Sequence, residues 1–547
     1  MSVHVDIHCH SSSKAFMSGM SHPSKNLYRR FPFTIEHPIY RLLRKPIAKF
    51  SNIRLETQSA FDQLFEGGVR VAFVSVTPME KAFTMLNPLA KGTKNELLKS
   101  FLKEPSNYRD GFIGSKAMNA LTGFKVSDID SIKGSVYHIY QELFLPEIDF
   151  LLSEKDKKSP DGRYTVRFPK NYSELKQYLL DPSNLNILLT VEGAHCFGEA
   201  STLPVLQAGI TNTHSTDTHN VAYANQMAAN IRDFRTRYPV PLFSVGLCHH
   251  FWNGLAGHAR SLASLLEAVL NQDEGLNGPL LDAGRMVIDE LSRKEYDQKK
   301  VRPVLIDIKH MSPLCRKDYY AYRRQKPELQ KLPVFCSHTG INMSFETLDE
   351  WIQYVRKNPS EKAGKKYDDG RYYLHEQSIN LCREDLVEVW RSRGLIGIQL
   401  DEKRIMGPLA FEELKKRSSA AGNNEQRYVY AKVIWANIFC AIDELQQSGL
   451  KMPWSPWELF SIGSDFDGLI NHLDAFGSAS DMHSLKAAMT YFLIEPEPIT
   501  LFDQDARRRY TLEVADLERL KEKRSPQELV ERLFGTNALE FLERNFS

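Results

Sequence analysis

The sequence has no uninterrupted apolar run of about 18 residues, so no segment reads as a membrane-spanning helix. Its first residues lack a basic stretch followed by an apolar one, the pattern of a secretory signal. Seven cysteines make an odd count without Cys-x-x-Cys spacing, which argues against a disulfide framework and for reduced thiols. Charge of one sign is also missing. Seventy Lys and Arg against 68 Asp and Glu leave a net charge of +2, too weak a field to suggest nucleic acid or an acidic membrane as partner. There are no internal repeats and no low-complexity tracts. With 42% apolar and 25% charged residues, the composition is that of a soluble globular protein, and the expectation is a cytoplasmic one with a substantial core.

What is present is an alternation of short β-rich runs with amphipathic helical patterns, the signature of parallel βα units. Eight strands are expected, at residues 3–8, 69–76, 186–192, 241–248, 303–308, 333–337, 394–400 and 459–464. Helices are expected at Ser261–Leu270, Ala283–Ser292, Arg383–Ser392, Tyr428–Gln446 and Pro526–Arg544. Eight such units close an α/β barrel of the (β/α)8 TIM type, about 250 residues in plain form, so the surplus length is read as insertions. Those fall at about 11–60, 80–180, 340–375 and 401–427 in a single barrel domain spanning 1–547. The first insertion mixes Arg29, Arg30, Arg41, Arg44 and Lys45 with Phe31, Phe33 and Tyr40, read most simply as an amphipathic flap on the barrel rim.

The chemistry-bearing residues stand where these strands end. Val5-Asp6-Ile7-His8-Cys9-His10 puts two histidines one residue apart, on one face of a strand and within reach of one cation. Glu192, His310, His338 and Asp465 end four further apolar runs. Each has a plainer reading alone: a strand-end histidine is more often a hydrogen-bonded structural residue, and a carboxylate there can cap a turn. Together they form a set of nitrogen and oxygen donors at the C-terminal ends of five strands, where a barrel gathers them. Six donors exceed what one tetrahedral zinc needs, which suggests two ions bridged by a carboxylate. A metal lowers the pKa of bound water from about 15.7 towards 7, making a bridging hydroxide available, and Asp465 would carry its proton to the leaving group. Asp467 competes for that role but lies farther from the strand end. His249 and His250 end the fourth strand. Because adjacent strand residues face opposite ways, only one is expected in the barrel mouth, where it could hold an oxyanion. His214 is a weaker candidate for the same task. Cys9, Cys196, Cys248 and Cys336 read as space-fillers rather than nucleophiles.

The motifs Glu66–Phe73, Val191-Glu192-Gly193-Ala194-His195, Asn253–Gly257, Leu281–Arg285, Asp307–Ser312, Phe335–His338, Ile462–Gly468 and Gly535-Thr536-Asn537 resemble, in order, those of the membrane (renal) dipeptidase family, a branch of the metal-dependent amidohydrolase superfamily. The resemblance implies a metallopeptidase holding two zinc ions: His8 and His10 on the first, His310 and His338 on the second, and Glu192 bridging. It further implies Asp465 as the proton-transfer carboxylate, His249 or His250 binding substrate with Asn253 nearby, and a small-molecule substrate. A homodimer is expected only by analogy. Two departures stand out. His10 occupies the family's aspartate position, and Ile379 stands before Asn380-Leu381 where the family has the arginine that grips a dipeptide's carboxylate. Arg371 or Arg404 would have to replace that contact, or the substrate is a lactam, a lactone or another amide. A metal-stabilised binding protein without turnover is the remaining alternative.

Overall fold

The structure, a computed structural model, describes residues 3–17, 26–32, 34–42, 54, 56–86, 112–134, 138–198, 218–262, 264–342, 344–357, 372–421, 423–502 and 510–547. Eight strands form a closed, wholly parallel barrel: β1 His4–Cys9, β2 Val69–Val76, β3 Asn184–Val191, β4 Leu242–Gly246, β5 Leu305–Asp307, β6 Phe335–Thr339, β7 Leu395–Ile398 and β8 Phe460–Ile462. Each pairs with the next in sequence, and Asp6 opposite Ile462 closes β1 on β8. All eight expected strands are present within a few residues of where the β-branched runs place them. A short strand, Thr165–Arg167, flanks β3 outside the barrel. Among the described residues no helix is long and apolar enough to cross a membrane.

The lumen is packed rather than open. Phe73, Phe243 and Phe335, from β2, β4 and β6, meet with ring centroids 4.9 to 6.4 Å apart, forming one layer from alternate strands. Val5, Ile7, Leu188, Leu305 and Leu395 belong to this cluster, and Phe541 from the last helix and Phe546 just beyond it join them. On β1 the register against β2 slips between Asp6 and Cys9. Val5 and Ile7 therefore fill the lumen cluster, Cys9 joins the outer core, and His8 and His10 are both left for the site.

The barrel seam is held by polar contacts as well. Asp6 accepts hydrogen bonds from the backbone N–H of Ser464 (3.0 Å) and of His8 (3.2 Å), and from the Ser464 hydroxyl (2.6 Å). The expected C-terminal helix forms in three pieces, Pro526–Glu531, a π turn at Arg532–Thr536 and Asn537–Asn545. The wide turn brings Gly535 so close to β1 that an added Cβ would lie 2.0 Å from the Val3 carbonyl, and Asn537 donates to the carbonyls of Trp457 and Phe460.

At the start of β1, His4 Nδ1 donates to the Gly67 carbonyl at 2.8 Å, and burial pushes this imidazole down to about 4. A histidine whose pKa is lowered by folding binds protons better when unfolded. Its contribution is present above its unfolded pKa, about 6.5, and is lost as pH falls towards 4. His4→Gln is therefore expected to flatten the acid-side fall in Tm of chelator-stripped protein. Thermal melts between about pH 7 and 4.5 test this, and a fall as steep as that of the parent chain would refute it.

Candidate metal centre

At the C-terminal mouth of the barrel, Glu192 stands at the end of β3 with both carboxylate oxygens facing imidazoles. Oε1 lies 2.9 Å from His310 Nε2 and 3.4 Å from His338 Nε2. Oε2 lies 3.0 Å from His10 Nε2, 3.7 Å from His8 Nε2 and 3.6 Å from His249 Nε2. Asp465 spans the same groups from the opposite side. Its Oδ1 is 3.6 Å from His8 and 3.4 Å from His10, and its Oδ2 is 3.7 Å from His338. All of these residues are buried. The backbone is bent to aim them: His310 and Asp465 have φ of +67° and +60°, a left-handed conformation that non-glycine residues adopt at local cost and that clusters at functional sites. Gly193 at φ +93° lets the chain turn directly after Glu192, where a Cβ would meet the ring of His195 and the Cβ of His249.

Burial pushes the carboxyls of Glu192 and Asp465 towards the neutral form. The surrounding imidazoles more than offset this and hold both below the usual carboxylate range, Glu192 well below it. Against the pull of burial, Glu192 and Asp465 lift His8 to about 9 and His10 to about 10. Burial drives His310 down to about 3 and His338 well below its usual value, so both stay neutral and can ligate. Two buried carboxylates, held below their usual range and ringed by imidazoles, are what a divalent cation would meet, and imidazole nitrogen with carboxylate oxygen is the donor set that transition metals favour. His8, His10, Glu192 and Asp465 offer ligand atoms within 4.8 Å of one another, as do Glu192, His249 and His310.

Around this centre lie residues that the sequence does not announce. Glu80, four residues beyond β2, faces His249 Nδ1 at 2.8 Å and accepts the Phe251 N–H at 3.2 Å. A carboxylate on the far nitrogen fixes the tautomer and leaves Nε2 for the site. Gln399, just past β7, donates from Nε2 to Asp465 Oδ2 at 2.7 Å and accepts from Lys309 Nζ at 3.3 Å. A lysine ammonium only donates, so Lys309 sets which way the Gln399 amide points.

Two expectations change. The fourth-strand histidines do not divide between inside and outside: β4 ends at Gly246, so strand alternation no longer governs His249 and His250. Their rings lie side by side, centroids 3.8 Å apart, and both border the cleft. Asn253 borders neither half of the cleft. Its side chain is spent on the carbonyl of Leu247 and the N–H of Leu255, bracing its own loop. Asp467 turns away from Asp465, into Lys14 Nζ at 2.6 Å and the backbone and hydroxyl of Ser59. His214 and Arg371 lie outside the described residues. The seven cysteines are free and buried, and burial pushes the thiols of Cys9 and Cys196 well up, against a nucleophilic role.

Arg404 borders the cleft beside Ile379. Its guanidinium donates to Gln377 Oε1 and the Ser261 carbonyl, and its own carbonyl accepts from Asn380 Nδ2 at 2.8 Å. The segment carrying Ile379 is thus tied to the segment carrying Arg404. Arg316, buried on the helix Pro313–Gln325, clamps it from behind by donating to the carbonyls of Ser378 and Asn380.

No protein-family model matches the chain, and no curated protein matches it. Among solved structures it is similar to a metallo peptidase from Rhodobacter sphaeroides, crystallised with a phosphinate mimic of the dipeptide L-Ala-D-Ala, at 14% identity over 99% of both chains and a TM-score of 0.44. It is also similar to dipeptidase AC, a metallo peptidase, at 15% identity over 93% of this chain and 96% of that one, TM-score 0.44. A third match is the probable dipeptidase PvdM from Pseudomonas aeruginosa, at 12% identity over 93% of this chain and 99% of the other, TM-score 0.41.

Proposed function

We propose that this chain is a metal-dependent hydrolase that cleaves an amide bond in a small, carboxylate-bearing substrate. The observation that carries the reading is Glu192, a buried carboxylate with His310 and His338 on one oxygen and His8, His10 and His249 on the other. His8 and His10 would hold one zinc ion and His310 and His338 a second, with Glu192 between them. When bound, such ions polarise the scissile carbonyl and supply an activated water at neutral pH. The protein residues do the rest. Asp465, fixed through Gln399, takes a proton on its Oδ1 side and delivers it to the leaving nitrogen. His249, oriented by Glu80, presents Nε2 to the reacting carbonyl oxygen. Arg404 receives the substrate carboxylate in place of the missing arginine at Ile379.

Metal analysis of purified protein tests the first part: about two zinc equivalents per chain are expected, and no bound transition metal would refute it. Arg404→Met tests the last. Losing a charge-assisted hydrogen bond costs about 1.5–3 kcal/mol, so KM for a carboxylate substrate should rise roughly tenfold to a hundredfold, with kcat little changed. Substrates whose carboxylate is amidated should not distinguish the two proteins; equal discrimination would exclude Arg404 from this role. A lactam or lactone ring stands as the second substrate reading, on the single ground that Ile379 presents an apolar side chain to the cleft.

A further inference from the structure

The Glu192–Asp465 centre divides the cleft into two halves of different chemistry. One is bordered by Arg404, Lys403 and Lys309, by the carboxylates of Asp401 and Asp465, and by Ile379. The other lies over His10 and Glu192 and is walled by Met79, Phe83 and Phe124, with Leu469 shared between the two. Its wall is firmly backed. Phe83 packs edge-on against His250 and Phe251, with centroids 5.5 and 4.9 Å away, and belongs to an apolar cluster with Met118, Ile113 and Ile129 from the segment between β2 and β3.

A dipeptide places its free ammonium on the side of the scissile bond opposite its carboxylate. Among the described residues, the carboxylates bordering the apolar half are Glu192 and Asp467. Both oxygens of Glu192 face imidazoles. Asp467 is held by Lys14 Nζ (2.6 Å), the N–H of Gln58 (2.9 Å) and the N–H and hydroxyl of Ser59 (2.8 and 2.7 Å). Lys14 itself borders this half and carries the same charge as an incoming ammonium. A buried cation without a partner is strongly disfavoured, whereas methylene or aromatic groups gain by leaving water.

Resting on the hydrolase reading above, we infer that the substrate is an N-acyl amino acid, with an apolar acyl group in the Phe83–Phe124 half and its carboxylate at Arg404. The reaction is a plain hydrolysis. Water adds its oxygen to the acyl carbon, the C–N bond breaks, and the nitrogen takes a proton. A carboxylate and a free amino acid are released, with no further reactant.

The test measures kcat/KM of the metal-loaded full chain on N-acetyl, N-butanoyl, N-hexanoyl and N-phenylacetyl derivatives of several L- and D-amino acids. Free-amine dipeptides and the corresponding acylamino acid amides serve as comparisons. The N-hexanoyl compounds are expected to exceed both the N-acetyl compounds and the dipeptides by about tenfold or more. Phe124→Ser, at a partly exposed position, and separately Phe83→Ser should bring the hexanoyl-to-acetyl ratio towards one, with circular dichroism confirming the fold. Dipeptides cleaved as well as or better than N-acyl compounds would overturn the inference and leave the hydrolase reading standing. A ratio indifferent to chain length would do the same. Metal-loaded protein that cleaves neither class would overturn both.

Discussion

Glu192→Gln is expected to strip the centre of metal and abolish hydrolysis. The substitution keeps the shape but exchanges one oxygen for an amide nitrogen, a donor, where both positions now face imidazole nitrogens. It also removes one of the two negative charges that draw positive charge into a buried site. Replacing a residue that merely orients a ligand costs about 10- to 100-fold in metal affinity. A residue facing both ligand pairs should cost at least that at each, so after dialysis the metal content should fall from about two equivalents to below one. Elemental analysis checks the loss, and circular dichroism checks that the barrel persists. Two equivalents retained in the variant would remove Glu192 from the bridging position.

Asp465→Asn separates proton transfer from metal binding. The cluster keeps Glu192 and its imidazoles, so metal content should stay near that of the parent protein. Gln399 can still donate to the remaining side-chain oxygen, so the geometry is preserved. An amide cannot accept and return a proton at neutral pH, and general acid–base groups contribute about 10²–10⁴-fold, so kcat should fall by that factor. Parallel loss of metal would make Asp465 chiefly a ligand, as its grouping with His8, His10 and Glu192 allows. Undiminished turnover would exclude it from proton transfer.

The barrel was legible because each strand is a short run of β-branched and aromatic residues, and strands in a closed parallel barrel are buried on both faces. The metal-ligand candidates were legible for a related reason: a histidine or carboxylate ending such a run has one direction to face. Glu80 was not, because its role depends on contact with a residue 169 positions away, across the barrel mouth. Gln399 and Lys309 were invisible because a neutral amide and a lysine are not metal donors, and their value lies in holding Asp465. His249 and His250 misled because the alternation rule was applied beyond the end of the strand. The two-sided character of the cleft could not be read at all, since its apolar wall comes from Met79, Phe83, Phe124 and Leu469, residues distant in sequence that together show no pattern.

The seam between β1 and β8 has a consequence for how the protein is made. Asp6 and Ser464, which close it, are 458 residues apart, and the centre beside it takes His8 and His10 from one edge and Asp465 from the other. A chain emerging from a ribosome exposes the first histidines early, yet their carboxylate partner only after most of the polypeptide has been synthesised. Capture of an ion by the full centre would therefore come late, coupled to ring closure.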